Sequence, residues 1–183
     1  MLQIRHGVFE TNSSSSHSIS IRKMNEITTP EEIADQFKYR IWPDGSLRYW
    51  DHELEFGRSP FEPLTTFADK LRYAIASYGD NEEMIETIKS IMFKYIPNLK
   101  KIEFPTTNYN WHDPEDDTER PYYGDIDHQS CGVLQGCLRR HNISLEEFLL
   151  NKKYVVFIDG DEYCIKEHLF ESGLFHKEDF EEV

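Results

Sequence analysis

Two thiols and two imidazoles fall within fourteen residues, His128-Gln-Ser-Cys131-Gly-Val-Leu-Gln-Gly-Cys137-Leu-Arg-Arg-His141. Two sulfur and two nitrogen donors are what a closed tetrahedral zinc site asks for. The apolar spacing from Val133 onward predicts a short helix, on which Cys137 and His141, four residues apart, point from one face. His128 and Cys131 lie just before that helix, in a loop able to fold over its start and complete the set. The competing reading is structural: Cys137 as a small buried apolar residue, Cys131 as a loop thiol and both histidines as surface groups. Cys164 and His168, in Cys-x3-His spacing, form a reserve pair of ligands.

Other residues offer weaker chemistry. Ser13–Ser16 run directly into His17, which suggests a hydroxyl nucleophile beside a base, yet no Gly-x-Ser-x-Gly elbow presents any one serine. Asp159, Asp161 and Glu162 surround Gly160 at a turn, a pattern that serves a divalent cation or simply a hairpin tip. His112-Asp113 and Asp127-His128 each set a carboxylate beside an imidazole, but neighbours in sequence need not touch. Phosphate-binding glycine loops, His-Glu-x-x-His and kinase signatures are all absent from the sequence.

Charge is the more informative property. The 183 residues carry a formal net charge of −14. Residues 113–127 hold seven acids against Arg120, residues 159–183 hold nine against two lysines, and the remainder is close to neutral. Direct binding to DNA, RNA or an anionic membrane needs clustered Lys and Arg, so this distribution argues against all three and for a basic partner. Asp113, Glu115, Asp116, Asp117 and Glu119, interleaved with Tyr109, Trp111, Tyr122 and Tyr123, are the candidate contacts. The plainer alternative is that acidic loops keep the protein soluble.

The elements that would position these groups read as a single α+β domain, with antiparallel β-hairpins packed on a helical hairpin, an irregular acidic loop over 106–127 and an acidic segment over 159–183. Strands are expected at Gln3–Phe9 and His17–Arg22, and an aromatic hairpin at Tyr39–Trp42 and Leu47–Trp50 turning at Gly45. Thr29-Pro30-Glu31-Glu32 starts a short helix. Pro63 introduces a helix whose apolar stripe runs from Leu64 to Tyr78, and Asn81 caps a second that ends near Tyr95. A brief strand follows at Lys101–Phe104. Ser144-Leu-Glu-Glu147 spells a capping box, and Tyr154–Ile158 is an apolar run long enough for a fully buried strand. Three cysteines make no disulfide framework, and the N-terminus lacks a hydrophobic secretion core, so a cytosolic protein with free thiols is expected.

The stretch Gly7-Val-Phe-Glu-Thr-Asn-Ser-Ser-Ser-Ser-His17-Ser-Ile, together with Asp127-His-Gln-Ser130, resembles small proteins of bacteriophages and mobile elements of Gram-positive gut bacteria, some of them anti-CRISPR proteins against type II RNA-guided nucleases. The resemblance covers about the first twenty residues. It implies phage origin, action in the cytosol of a bacterial host and a CRISPR effector nuclease as target. The combined expectation is a non-enzymatic, zinc-binding acidic inhibitor that blocks loading of target DNA. The alternatives are a metal-dependent hydrolase or transferase using His17 and His128, and a phage structural or assembly protein.

Overall fold

The structure is a computed structural model and describes residues 16–57, 61–109, 115–160 and 163–181. Ser16–Ile21 forms strand β1 and Pro30–Phe37 helix α1, followed by the short strands β2 (Ser46–Arg48), β3 (Glu55–Phe56) and β4 (Pro63–Leu64). Helices α2 (Phe67–Ser77) and α3 (Glu82–Tyr95) precede strands β5 (Lys101–Glu103), β6 (Thr106–Thr107), β7 (Arg120–Pro121) and β8 (Asp125–Ile126). Helices α4 (Val133–His141) and α5 (Leu145–Leu150), strand β9 (Tyr154–Asp159) and helix α6 (Ile165–Glu171) complete the order.

A run as apolar as Tyr154–Ile158 can be buried only where both faces of its strand are covered. β9 accordingly lies between β1 and β4 in an antiparallel sheet, with Val156 opposite Ile19 on one side and Leu64 on the other. Successive side chains of a strand point to opposite faces. Tyr154, Val156 and Ile158 therefore join the main core with α2 and α3, while Val155 and Phe157 meet Ile165, Leu169 and Phe180 in a second, smaller core. Phe157 packs 5.8 Å from Phe175 and 6.0 Å from Phe180, centroid to centroid. The acidic 163–181 segment is thus docked on the sheet, and Glu181 N donates to Ile21 O to fix it there.

The helices begin where their caps predict. Thr29 and Glu32 close a reciprocal capping box on α1, and Thr66, Asn81 and Ser144 each accept an N–H from the first turn of α2, α3 and α5. At Ser144 only half of the expected box forms, because Glu147 turns its carboxylate to Tyr154 Oη at 2.8 Å instead. α2 is the central helix, and Phe67, Leu71, Tyr73, Ala74 and Ile75 on it are fully buried.

Two expectations fail at the level of strands. Pro63–Leu64 does not open the following helix; it pairs with β9, and α2 starts only at Phe67. Proline fits there because it lies at the sheet edge, where its missing N–H costs no ladder bond. The aromatic hairpin at 39–50 shrinks to one bridge, Ile41 opposite Leu47, closed by a turn in which Gly45 adopts φ +86°. On its other side Leu47 pairs in parallel with Ile102 of β5, a partner more than fifty residues away in sequence. The segment 106–127 is also less loose than its composition implies, since β6 pairs with β7 and β8 runs parallel to β3. The expected strand Gln3–Phe9, residues Ser13–Ser15, Asp113, Asp161 and Glu162 lie outside the described residues. Among the described residues no helix is long and apolar enough to cross a membrane.

Candidate functional site

The residues of greatest chemical interest converge where β1, α2, β8 and the start of α4 meet. Asp127 accepts Gln129 N at 3.0 Å through Oδ1, while its carbonyl takes Ser130 N at 2.7 Å. A carboxylate that bonds its own chain two residues on fixes a tight turn. That turn delivers Ser130, 3% exposed, to β1, where its Oγ accepts the backbone N–H of His17 at 3.0 Å. The start of β1 and the Asp127–Ser130 turn are therefore in contact through His17 and Ser130.

His17 is itself 5% exposed, with Nδ1 3.3 Å from Tyr73 Oη on α2. Burial pushes its pKa below the usual imidazole value, against the pull of Asp127 and of a hydrogen bond from the ring to the main chain of Gly57. The neutral ring is the stable form. Tyr73 is held strongly protonated by its own burial. His17 meets the Ser130 hydroxyl through its main chain and not its ring, so the pair is not an imidazole poised to activate a nucleophile.

Outside this buried knot lies a cavity of about 400 Å³, walled by the C-terminal turn of α2, Asp80, Asn81, Gly124–Ile126 and the start of α4 with Cys131 and Gln135. Gly124 makes the wall possible: it has φ +98°, and a Cβ there would sit 2.2 Å from Leu54 O. Cys131 is exposed on the rim, its Sγ 3.8 Å from Ile126 O. Partial burial, then the carboxylates of Asp125, Asp127 and Asp80, raise its pKa above the usual thiol value. A thiol so surrounded stays protonated and makes a poor nucleophile.

The four zinc-ligand candidates are not gathered. His128 points outward, its side chain 81% exposed and Nδ1 3.7 Å from Asp127 Oδ1. Cys137 is buried at 6% exposure on the core face of α4, where burial raises its pKa, and His141 is exposed at the end of the same helix. A four-residue step brings two side chains to neighbouring turns but does not bring them to the same depth. The reserve pair fares similarly: Cys164 caps α6 by accepting Glu167 N, and His168 lies exposed against Tyr163 at 5.8 Å between ring centroids. Among the described residues no three His, Cys, Asp or Glu side chains are placed to hold a metal ion.

Of the predicted partner contacts, Glu115, Asp117 and Glu119 are exposed, and Asp116 is half-buried with Oδ2 3.3 Å from Arg120. Glu119 accepts Thr106 Oγ1 at 2.6 Å, which ties the acidic stretch to β6. Tyr73, Asp80 and Gln135 had no signal in the sequence, because each is ordinary until three distant elements assemble around it. Compared with known protein families, curated proteins and solved structures, the chain matches none of them.

Proposed function

We propose that the chain is a non-enzymatic, phage-type inhibitor that binds the basic nucleic-acid channel of a type II CRISPR RNA-guided nuclease and blocks loading of target DNA. The observation that carries this reading is the concentration of negative charge: Asp80, Asp125 and Asp127 together act on the Cys131 thiol, and Glu115, Asp117 and Glu119, a few residues earlier in sequence, are exposed. A channel built to hold polyanions attracts such charge and is obstructed by the protein that bears it. The class of target comes from the resemblance of the His17 and Asp127–Ser130 stretches, and binding to a basic protein comes from the charge.

The hydrolase or transferase reading has the contact between the His17 and Ser130 segments in its favour. Against it stand the neutral, buried His17 ring facing Tyr73, the outward His128, and a thiol held protonated. The two readings separate by stoichiometry. In cleavage assays with a guide-loaded type II nuclease, the protein should inhibit at about one equivalent, and Glu115→Gln/Asp117→Asn/Glu119→Gln should inhibit less. Turnover at substoichiometric ratios, or no complex with any such nuclease, would sink the proposal.

A further inference from the structure

Helices α3 and α5, with the segment that leads into α1, enclose a groove of about 580 Å³ lined in part by Ile27, Ile91, Leu145 and Leu150. The polar groups along it are already bonded within the chain. Thr87 Oγ1 donates to Glu83 O at 3.0 Å and Ser90 Oγ to Glu86 O at 2.9 Å, each one turn back along α3. Ser144 Oγ accepts Glu147 N at 3.1 Å, and the Glu147 carboxylate accepts Tyr154 Oη at 2.8 Å. Glu146 accepts Lys94 Nζ at 2.9 Å and also Tyr95 Oη, which ties α3 to α5 and forms the groove before anything enters it. What is left over is apolar: Ile27 lines the groove and is still 54% exposed. Such a groove calls for an apolar occupant.

The same helix carries the complement. Phe93 is 48% exposed and sits beside Ser90 and Lys94, two residues that line the groove. A ring next to a groove on one patch is what a twofold contact between identical chains requires, since each copy must offer both parts. Charge sets the direction of that contact. α3 opens with Glu82 and Glu83, continues through Glu86 and carries Lys94 in its last turn. Laid antiparallel, two such helices set the acidic end of each against the basic end of the other, with their dipoles opposed. Laid parallel they would set like against like, which costs most in a chain of net charge −14. Positions equidistant from the centre of an antiparallel crossing face each other. A crossing centred on Ser90 therefore brings Phe93 of one copy over Thr87 of the other, and Lys94 opposite Glu86. The Lys94 and Glu86 side chains are 58% and 70% exposed, so both are within reach of a second chain.

We propose that this face binds a second copy of the chain: the two α3 helices pack antiparallel about Ser90, and each Phe93 ring enters the groove of the other copy. No acid of 115–119 takes part, so the pairing stands apart from the inhibitor reading.

Sedimentation equilibrium of the full-length protein, loaded from low micromolar to millimolar, should show a mass that rises from 21.7 kDa toward twice that value. Phe93→Ser, at an exposed position outside the core, should weaken the pairing about tenfold or more. Lys94→Glu and Glu86→Lys should each weaken it severalfold by setting like charges across the twofold, and the double variant Lys94→Glu/Glu86→Lys should recover it. Thermal unfolding of each variant verifies that it is folded. A mass that stays at the monomer value overturns the pairing, and uptake of anilinonaphthalene sulfonate by that monomer gives the groove to a small apolar ligand instead. A dimer that survives Phe93→Ser, or a double variant no better than the single ones, overturns it as well. Loss of nuclease inhibition with the dimer intact would overturn only the inhibitor reading.

Discussion

Among the described residues, Lys70 and His17 are the two basic groups that folding takes most completely out of water. Lys70 is 0% exposed, and its Nζ donates at 2.8 Å to Phe148 O and Asn151 O. It thereby satisfies carbonyls that the end of α5 would otherwise leave unpaired. Burial brings its pKa down from 10.5 to about 7, with Asp69 pulling the other way. His17 is lowered too, from 6.5. Both folded values lie below the unfolded ones, so the unfolded chain binds more protons and stability falls with falling pH. The Lys70 contribution is complete above about 10.5 and is lost as pH drops through about 7. That of His17 is complete above 6.5 and is lost as pH falls through its lower folded value. Urea denaturation over a pH series should therefore show a Lys70→Met variant flatter than the parent between pH 7 and 10, and a His17→Gln variant flatter below pH 6.5. Parallel curves in either window would mean that the residue does not titrate with folding.

At the level of elements, Gly124 shows how one backbone conformation holds a wall in place. Its φ of +98° is costly for any other residue, and a Cβ would meet Leu54 O, Cβ and C all within 3 Å. Gly124→Ala should destabilise the protein by about 2 kcal/mol or more, from positive φ plus displaced backbone. A melting temperature within a degree of the parent would contradict that. Which elements were legible in sequence follows the same physics. The starts of α1, α3 and α5 were readable because a cap and a first turn are local, and β9 because five apolar residues in a row need burial on both faces. β4 was misread because Pro63 serves a strand edge as readily as a first helical turn. β2 was misassigned because its partner β5 is remote and parallel, and nothing near Leu47 announces Ile102. The site was legible only in pieces. The sequence pointed to His17 and to Asp127–Ser130 separately, but it could not show the 3.0 Å bond that joins residues 113 apart. Helical spacing between Cys137 and His141 fixes direction around an axis and says nothing of depth in the core, where the first is buried and the second exposed.

Over the whole molecule, charge is divided more by the fold than by the sequence. The described part of the second acidic run, 163–181, is anchored by Phe175 and Phe180 against Val155 and Phe157 of the sheet. Of the first, Asp125 lines the cavity beyond α2 together with Asp80. If association with a basic channel is steered by these charges, its rate should fall steeply between low and physiological salt, while the dissociation rate changes little. Stopped-flow or surface-based kinetics across that range checks this, and a salt-independent on-rate would remove steering from the mechanism.

The pairing of β1 with β9 sets a timetable for biosynthesis. Ile21 lies opposite Tyr154 and Ser16 opposite Asp159, so the first strand emerges from the ribosome well over a hundred residues before its partner exists. At translation speeds of about 5–20 residues per second, that is a wait on the order of ten seconds. During it Ile19 and Ile21, spaced by Ser18 and Ser20, have no strand β9 to pair with.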